Sequence, residues 1–198
     1  MKSFITQPII LASGSPRRKQ LLEWACADFE VRVSDADESF VPGTLPTEVA
    51  MHLAKRKAEA VWNMSTQQKP VIAADTIVVC EGQILGKPEN RDEAIRILKK
   101  LSGKNHEVIT GVYIKSNMGD VQFSDHTRVR FHLLDENQIC FYVDHFKPYD
   151  KAGAYAIQEW IGVVGIHSIE GDFYNVMGLP VNRVLQGLKQ LGYTLMPY

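Results

Sequence analysis

The segment Pro8-Ile9-Ile10-Leu11-Ala12 runs without a spacer into Ser13-Gly14-Ser15-Pro16, and no other feature of the sequence limits the fold as strongly. A short apolar run bounded by turn residues reads as a buried strand. Ser15 followed by Pro16 starts a helix, because a serine side chain suits the N-cap and proline's fixed φ suits the first helical position. Leu21, Leu22 and Trp24 then follow at helical spacing within Arg18 to Trp24. A chain that opens strand, turn, helix is committed to burying a sheet against helices.

The rest of the chain continues in that style. Phe29 to Ser34 alternates like a strand, and Asp35 to Pro46 is acidic, then rich in Gly and Pro, as a surface loop is. From Pro46 to about Asn63, Ala50, Leu53, Ala54, Ala58 and Val61 form one apolar helical stripe. Val71 to Val79 is a β-branched run interrupted by Asp75-Thr76, with Asp75 expected at a strand end, and Gln83-Ile84-Leu85 leads into the turn Gly86-Lys87-Pro88. Asn90 to Glu93 has the form of a capping box for a helix through Ile95, Leu98 and Leu101, stopping at Gly103. Glu107 to Lys115 and Val121 to Leu134 read as a hairpin turning at Asn117-Met118-Gly119-Asp120. Asp135 caps a helix through Ile139, Tyr142 and Val143; Lys147 to Gly178 reads as strands and loops; and a last helix starts near Pro180 and ends at Gly192. Strands mixed with helices throughout predict an α/β or α+β protein, with one elongated mixed sheet flanked by helices.

Charge removes several function classes. The 22 basic and 23 acidic residues of the 198 leave a net charge of -1, so no global basic field favours a nucleic-acid polymer or a membrane surface. Any anion site must be local. The N-terminal residues lack a long apolar core and read as mature sequence, and no apolar run approaches the roughly 18 residues of a spanning helix. Cys26, Cys80 and Cys140 are far apart and odd in number, which argues against a zinc site or a disulfide framework and favours a reducing cytoplasm. His52, His106, His126, His132, His145 and His167 have no metal-protease spacing, and no Gly-x-Ser-x-Gly elbow is present.

Four places invite chemistry. Ser13, Ser15, Arg17 and Arg18 gather hydroxyls, free backbone N–H groups and two guanidinium groups at one helix N-terminus, which suits a polyanion although it is no Walker loop. The plain alternative is a capped helix with a basic first turn, which opposes the helix dipole at a cost of roughly a few tenths to 1 kcal/mol. Lys57 falls among the buried positions of its helix and needs an anionic partner there, so it is either a snorkelling stem at the edge of the stripe or a phosphate ligand facing the cleft. Asp75 within an apolar run must be paired, hydrogen-bonded or metal-bound. Lys87, in its tight turn, is either a solvated lysine or a ligand. Phosphoanhydride hydrolysis needs an activated water, hard oxygen ligands for a divalent cation, and cations for the phosphates; Asp75, Glu38, Arg17, Arg18, Lys57 and Lys87 supply that inventory.

The segments Leu11-Ala12-Ser13-Gly14-Ser15-Pro16-Arg17-Arg18, Leu53-Ala54 with Lys57-Ala58, Ala74-Asp75-Thr76, Gly86-Lys87-Pro88, Asp150-Lys151-Ala152-Gly153-Ala154-Tyr155-Ala156-Ile157-Gln158 and Gly171 to Pro180 resemble those of Maf-type nucleotide pyrophosphatases. The resemblance implies one Maf-like domain over residues 1–198, related to inosine triphosphatases, with two lobes around a nucleotide-binding cleft. It further implies metal-dependent cleavage between the α and β phosphates, giving a monophosphate and pyrophosphate, with Asp75 as proton acceptor. Ser13, Ser15, Arg17, Arg18, Lys57 and Lys87 match phosphate handling, while Glu38 and Asp75, with Asp37 as the alternative acid, match metal handling by Mg²⁺, Mn²⁺ or Co²⁺. A homodimer is part of the same expectation.

Arg17, Thr76 and Gln158 resemble the specificity set of the branch acting on dTTP and UTP. An amide that donates and accepts matches the adjacent O4 and N3–H of uracil or thymine, and cytosine reverses that pattern. Ala156 and Glu159 stand where that branch leads one to expect glycines around Ile-Gln, which opens the question of the local backbone. The alternatives are pyrophosphatases for 7-methyl-GTP or for ITP and XTP, and a non-catalytic nucleotide-binding regulator of septum formation.

Overall fold

Strand β1 (Ile9–Leu11) is buried at every residue and pairs in parallel with β2 (Phe29–Val31) on one side and β3 (Val71–Cys80) on the other. Parallel neighbours need crossovers, and helices α1 (Pro16–Trp24) and α2 (Pro46–Met64) lie in them. The computed structural model describes residues 5, 7–64 and 69–194. The reading of the N-terminus as mature sequence falls partly on residues 1–4 and 6, outside that range. Strand β4 (Gln83–Leu85) pairs antiparallel with β3. Strands β5 (Asn105–Ser116), β6 (Gly119–Phe131) and β7 (Ile166–Glu170) complete a seven-stranded mixed sheet in the order β2-β1-β3-β5-β6-β7, with β4 beside β3.

The chain divides into two compact units, and β3, β5 and β6 each run through both. The first comprises Met1–Asp75, Thr110–Asp125 and Gly178–Tyr198. Its core joins Ile10, Val71, Ala73 and Tyr113 of the sheet, and Ala12 just after β1, to Ala54, Ala58 and Val61 of α2. The expected apolar stripe of α2 is thus the face that is buried. Helix α2 lies so close to β5 that a Cβ at Gly111 would sit 2.3 Å from the Ala50 carbonyl carbon and 2.4 Å from the Met51 nitrogen. Backbone cannot yield as a side-chain tip does, so Gly111→Ala is expected to cost about 2–3 kcal/mol and roughly 4–12 °C in Tm. Differential scanning calorimetry checks this, and an unshifted transition would refute the close approach.

The second unit comprises Thr76–Ile109 and His126–Met177. Helix α3 (Arg91–Leu101) begins as its sequence suggests, with the Asn90 side chain accepting from the Glu93 N–H at 3.0 Å. The reciprocal half of the box goes elsewhere, because Glu93 accepts from the Glu89 N–H at 2.8 Å. Helix α4 (Glu136–Phe146) has the complete box between Asp135 and Gln138. The stretch from Lys147 to Gly178, expected as strands and loops, contains only β7 as a strand. It also holds a 3₁₀ turn (Ala152–Ala154) and two short helices, α5 (Trp160–Gly165) and α6 (Phe173–Met177). These helices are a turn or so long, too short for a 3.6-residue periodicity to declare itself. Helix α7 (Val181–Gln190), in the first unit, follows Pro180 as expected. Among the described residues no helix is long and apolar enough to cross a membrane.

Candidate active site

The turn after β1 is built around Ser13. Its buried Oγ accepts from the Ser15 N–H at 3.3 Å and from Arg18 Nη1 at 2.9 Å, while Arg18 Nε donates to the Gly178 carbonyl at 2.8 Å. Ser15 occupies the N-cap by its backbone, but its hydroxyl makes no capping bond. Arg18 is buried, and burial pushes its pKa down; the charges of Asp75 and Glu38 raise it, and that of Arg17 lowers it. The first turn of α1 contains no acidic residue. The conflict between its positive charge and the helix dipole is therefore present in the fold, with Arg17 half-buried beside the locked Arg18.

Lys57 resolves differently from either expectation taken alone. Its side chain, 16% exposed, brings Nζ to 2.5 Å from Asp75 Oδ1 and 2.8 Å from Glu38 Oε1. Asp75 is 14% exposed, and its place is the middle of β3 rather than the expected strand end. A carboxylate is tolerable at mid-strand because α2 delivers a cation to it. Glu38 reaches the same ammonium from the loop. Asp37 turns away, accepting from the Ser39 N–H at 2.9 Å, from the Ser39 hydroxyl at 2.6 Å and from Arg56 Nη2 at 3.0 Å. Those bonds, led by the Ser39 hydroxyl, hold the Asp37 pKa down at about 2. Of the two adjacent acids, Glu38 is the one that shares a cation with Asp75.

The remaining candidates lie in the second unit. Thr76 follows Asp75 along β3 and is half-buried, Lys87 is exposed in its turn, and Gln158 is exposed between buried Ile157 and half-buried Glu159. The Gly86 carbonyl accepts from the Gly153 N–H at 3.1 Å, which ties the Lys87 turn to the segment leading to Gln158. Gly153 has φ 70°, and a Cβ there would lie 2.9 Å from a Val78 methyl carbon. Neither Ala156 nor Glu159 has a left-handed φ, so replacing the expected glycines strains nothing.

Three polar residues around Gln158 were not singled out by sequence reasoning as functional candidates. Lys151 is buried, Tyr142 is fully buried on α4, and both contact the Glu159 carboxylate. Lys151 carried a signal, being a lysine inside an otherwise small and apolar segment; Tyr142 read only as helix core.

Asp75 and Glu38 also bear on metal binding. Their oxygens converge on the Lys57 ammonium, so a hard cation would find two carboxylates there once that ammonium swings aside, and Mg²⁺ sites usually combine one or two carboxylates with water and substrate phosphates. Among the described residues no group of three or more His, Cys, Asp and Glu side chains could hold a metal by itself. Two carboxylates alone would leave most positions around such a cation to be filled by water or a bound ligand.

The sequence profile described as "Maf-like protein" matches residues 8–191. A protein of Bacteroides fragilis (strain YCH46) named dTTP/UTP pyrophosphatase is 49% identical over 185 residues, covering 92% of this chain and 95% of that protein. A Cytophaga hutchinsonii protein of the same name is 48% identical over 183 residues, covering 92% of this chain and 84% of that one. Among solved structures, the Staphylococcus aureus Ham1 protein has a TM-score of 0.47 at 16% identity, covering 63% of this chain and 72% of that chain. With a profile that spans nearly all of the sequence and relatives close to half identical along it, this chain belongs to the Maf-like protein family.

Proposed function

We propose that this chain is a nucleoside triphosphate pyrophosphatase that hydrolyses dTTP and UTP to the monophosphate and pyrophosphate. The observation that carries the reading is the convergence of Asp75 and Glu38 on Lys57, with their charges felt at Arg18, in a chain 49% identical to a protein named dTTP/UTP pyrophosphatase. Asp75 accepts a proton from the attacking water, whose oxygen bonds to the α-phosphorus. The bond from that phosphorus to the bridging oxygen breaks, and pyrophosphate leaves with the electron pair. Ser13, Ser15, Arg17, Arg18, Lys57 and Lys87 bind and orient phosphate oxygens and absorb their charge. Glu38 and Asp75 would hold a divalent cation, Mg²⁺, Mn²⁺ or Co²⁺, which would supply further charge neutralisation; Asp37 is too engaged with Ser39 and Arg56 to be the preferred ligand.

Arg17, Thr76 and Gln158 set the base preference, with the exposed amide of Gln158 reading O4 and N3–H of uracil or thymine. The reading includes a single domain over residues 1–198, a homodimer and a cytoplasmic location. Incubating the protein with each metal and a panel of UTP, dTTP, CTP, 7-methyl-GTP, ITP and XTP, and assaying pyrophosphate, tests it. UTP and dTTP are expected to lead. Release of orthophosphate would overturn the bond assignment, and a lead by 7-methyl-GTP or ITP would overturn the substrate. Tight binding without turnover would favour a regulatory protein. In the same panel, Gln158→Ala is expected to lower the UTP over CTP preference about tenfold, the scale of one lost pair of base hydrogen bonds.

A further inference from the structure

We infer that Glu159 is a positioning residue for base recognition, holding through Tyr142 and Lys151 the turn from which Gln158 projects. The inference rests on the reading of Gln158 as the residue that meets the base. The Tyr142 hydroxyl accepts from the Ala156 N–H at 3.1 Å and donates to Glu159 Oε2. One fully buried phenol thus grips both shoulders of the Ile157-Gln158 dipeptide. Lys151 Nζ lies 3.5 Å from Glu159 Oε1 and 2.7 Å from Asp150 Oδ1, so the carboxylate is held from two directions.

The backbone closes the same turn. The Glu159 N–H donates to the Ala156 carbonyl at 3.1 Å, and the Glu159 carbonyl accepts from the Gly162 N–H at 2.9 Å. Behind it, a Cβ at Gly162 would lie 1.7 Å from the Ile157 carbonyl oxygen, so α5 is packed directly onto the dipeptide. Ile157 is buried and Gln158 exposed, which leaves Gln158 presented by a turn that is held at both flanking residues.

Burying Lys151 and most of Glu159 carries a desolvation cost that an apolar contact of the same shape would avoid. What the charged arrangement adds is direction: the two carboxylate oxygens have separate partners, so the turn has one orientation. Base discrimination needs that, because a recognition group must be held within about 0.5 Å and 10–20° of its working geometry. An amide on an unrestrained loop would meet donor and acceptor patterns almost equally.

The test is the ratio of kcat/KM for UTP to that for CTP, with Mg²⁺, in the wild type and in E159A, E159Q, Y142F and Q158A. E159A and Y142F are expected to lower the ratio about five- to tenfold, mainly through a raised KM for UTP. E159Q, whose amide oxygen still accepts the Tyr142 hydroxyl but whose NH₂ replaces the oxygen that faces Lys151, is expected to lower it less than E159A, by about two- to threefold. A ratio unchanged in Q158A would overturn the base-reading role itself. A ratio that falls in Q158A but holds in E159A and Y142F would overturn the positioning role alone, and a lowered Tm with an unchanged ratio would assign Glu159 to stability only. Should E159A fail to fold, E159D reads the same ratio, since it keeps a charge near Lys151 but withdraws the carboxylate from Tyr142 by one methylene.

Discussion

Asp75→Asn is expected to lower kcat for UTP about 10³-fold, within the 10²–10⁴ that a positioned general base contributes. Asparagine has the same shape and hydrogen-bonds, but its amide cannot take the proton of the attacking water. The fold should survive, because Lys57 keeps Glu38 at 2.8 Å as an anionic partner when Asp75 loses its charge. The stability loss is therefore expected near 1 kcal/mol rather than the 3–5 of a stranded buried charge, or roughly 2–4 °C in Tm. Initial rates of pyrophosphate release at saturating UTP, read beside a thermal melt, separate the two effects. Activity within tenfold of wild type in a folded Asp75→Asn protein would remove Asp75 from the role of base.

A fall in stability between pH 6.5 and pH 4 is the second large effect, and it has its origin in His106. The ring is 3% exposed, its Nε2 lies 2.8 Å from the Tyr155 hydroxyl, and Phe131 and Tyr155 meet it edge-on with centroids 5.1 and 5.4 Å away. Burial lowers its pKa from 6.5 to about 4 and raises that of Tyr155 above its ordinary value. Above pH 6.5 the ring is neutral in both the folded and unfolded states, and stability is intact. As the pH falls, the unfolded chain takes up the proton first, so stability declines until the folded state also protonates at about pH 4. The full shift corresponds to roughly 3 kcal/mol, of which about 2.5 is lost between pH 7 and pH 4.5. His106→Gln can still bond the Tyr155 hydroxyl and does not titrate. Its urea midpoint should be lower than wild type at pH 7, yet fall less from pH 7 to pH 4.5. Parallel slopes for the two proteins would show that the ring takes up its proton as readily in the fold as in the unfolded chain.

Local pattern placed β1, the turn at Ser13 to Ser15, α2 and both capped helices correctly, because each rests on spacing within a few residues: apolar runs, a 3.6-residue stripe, an acceptor three positions before its donor. The stripe of α2 even marked Lys57 as a cation turned toward the buried side. It did not mark the partners. Asp75 is 18 residues away and Glu38 is 19, and no spacing rule reaches from a helix to a mid-strand carboxylate and a loop. The expected break at Asp75 failed for the same reason: a charge in an apolar run looks like an end unless the compensating charge is known to arrive from elsewhere.

The sharpest division is between Asp37 and Glu38. As neighbours of like charge in a loop they differ locally only in that Ser39, two residues on, can bond the Asp37 carboxylate; the separation is completed at long range, where Arg56 holds Asp37 aside while Lys57 draws Glu38. The turn at Gln158 is similar: the glutamine is legible as a polar group in a recognisable segment, but its clamp joins α4 to the start of α5 across 14 and 17 residues. Short-range chemistry in this chain thus settles which elements form and which side chains have the right functional groups. Long-range packing settles which of those groups meet, because electrostatic and hydrogen-bond partners are chosen by distance in space, and in this fold the decisive partners are far apart along the chain.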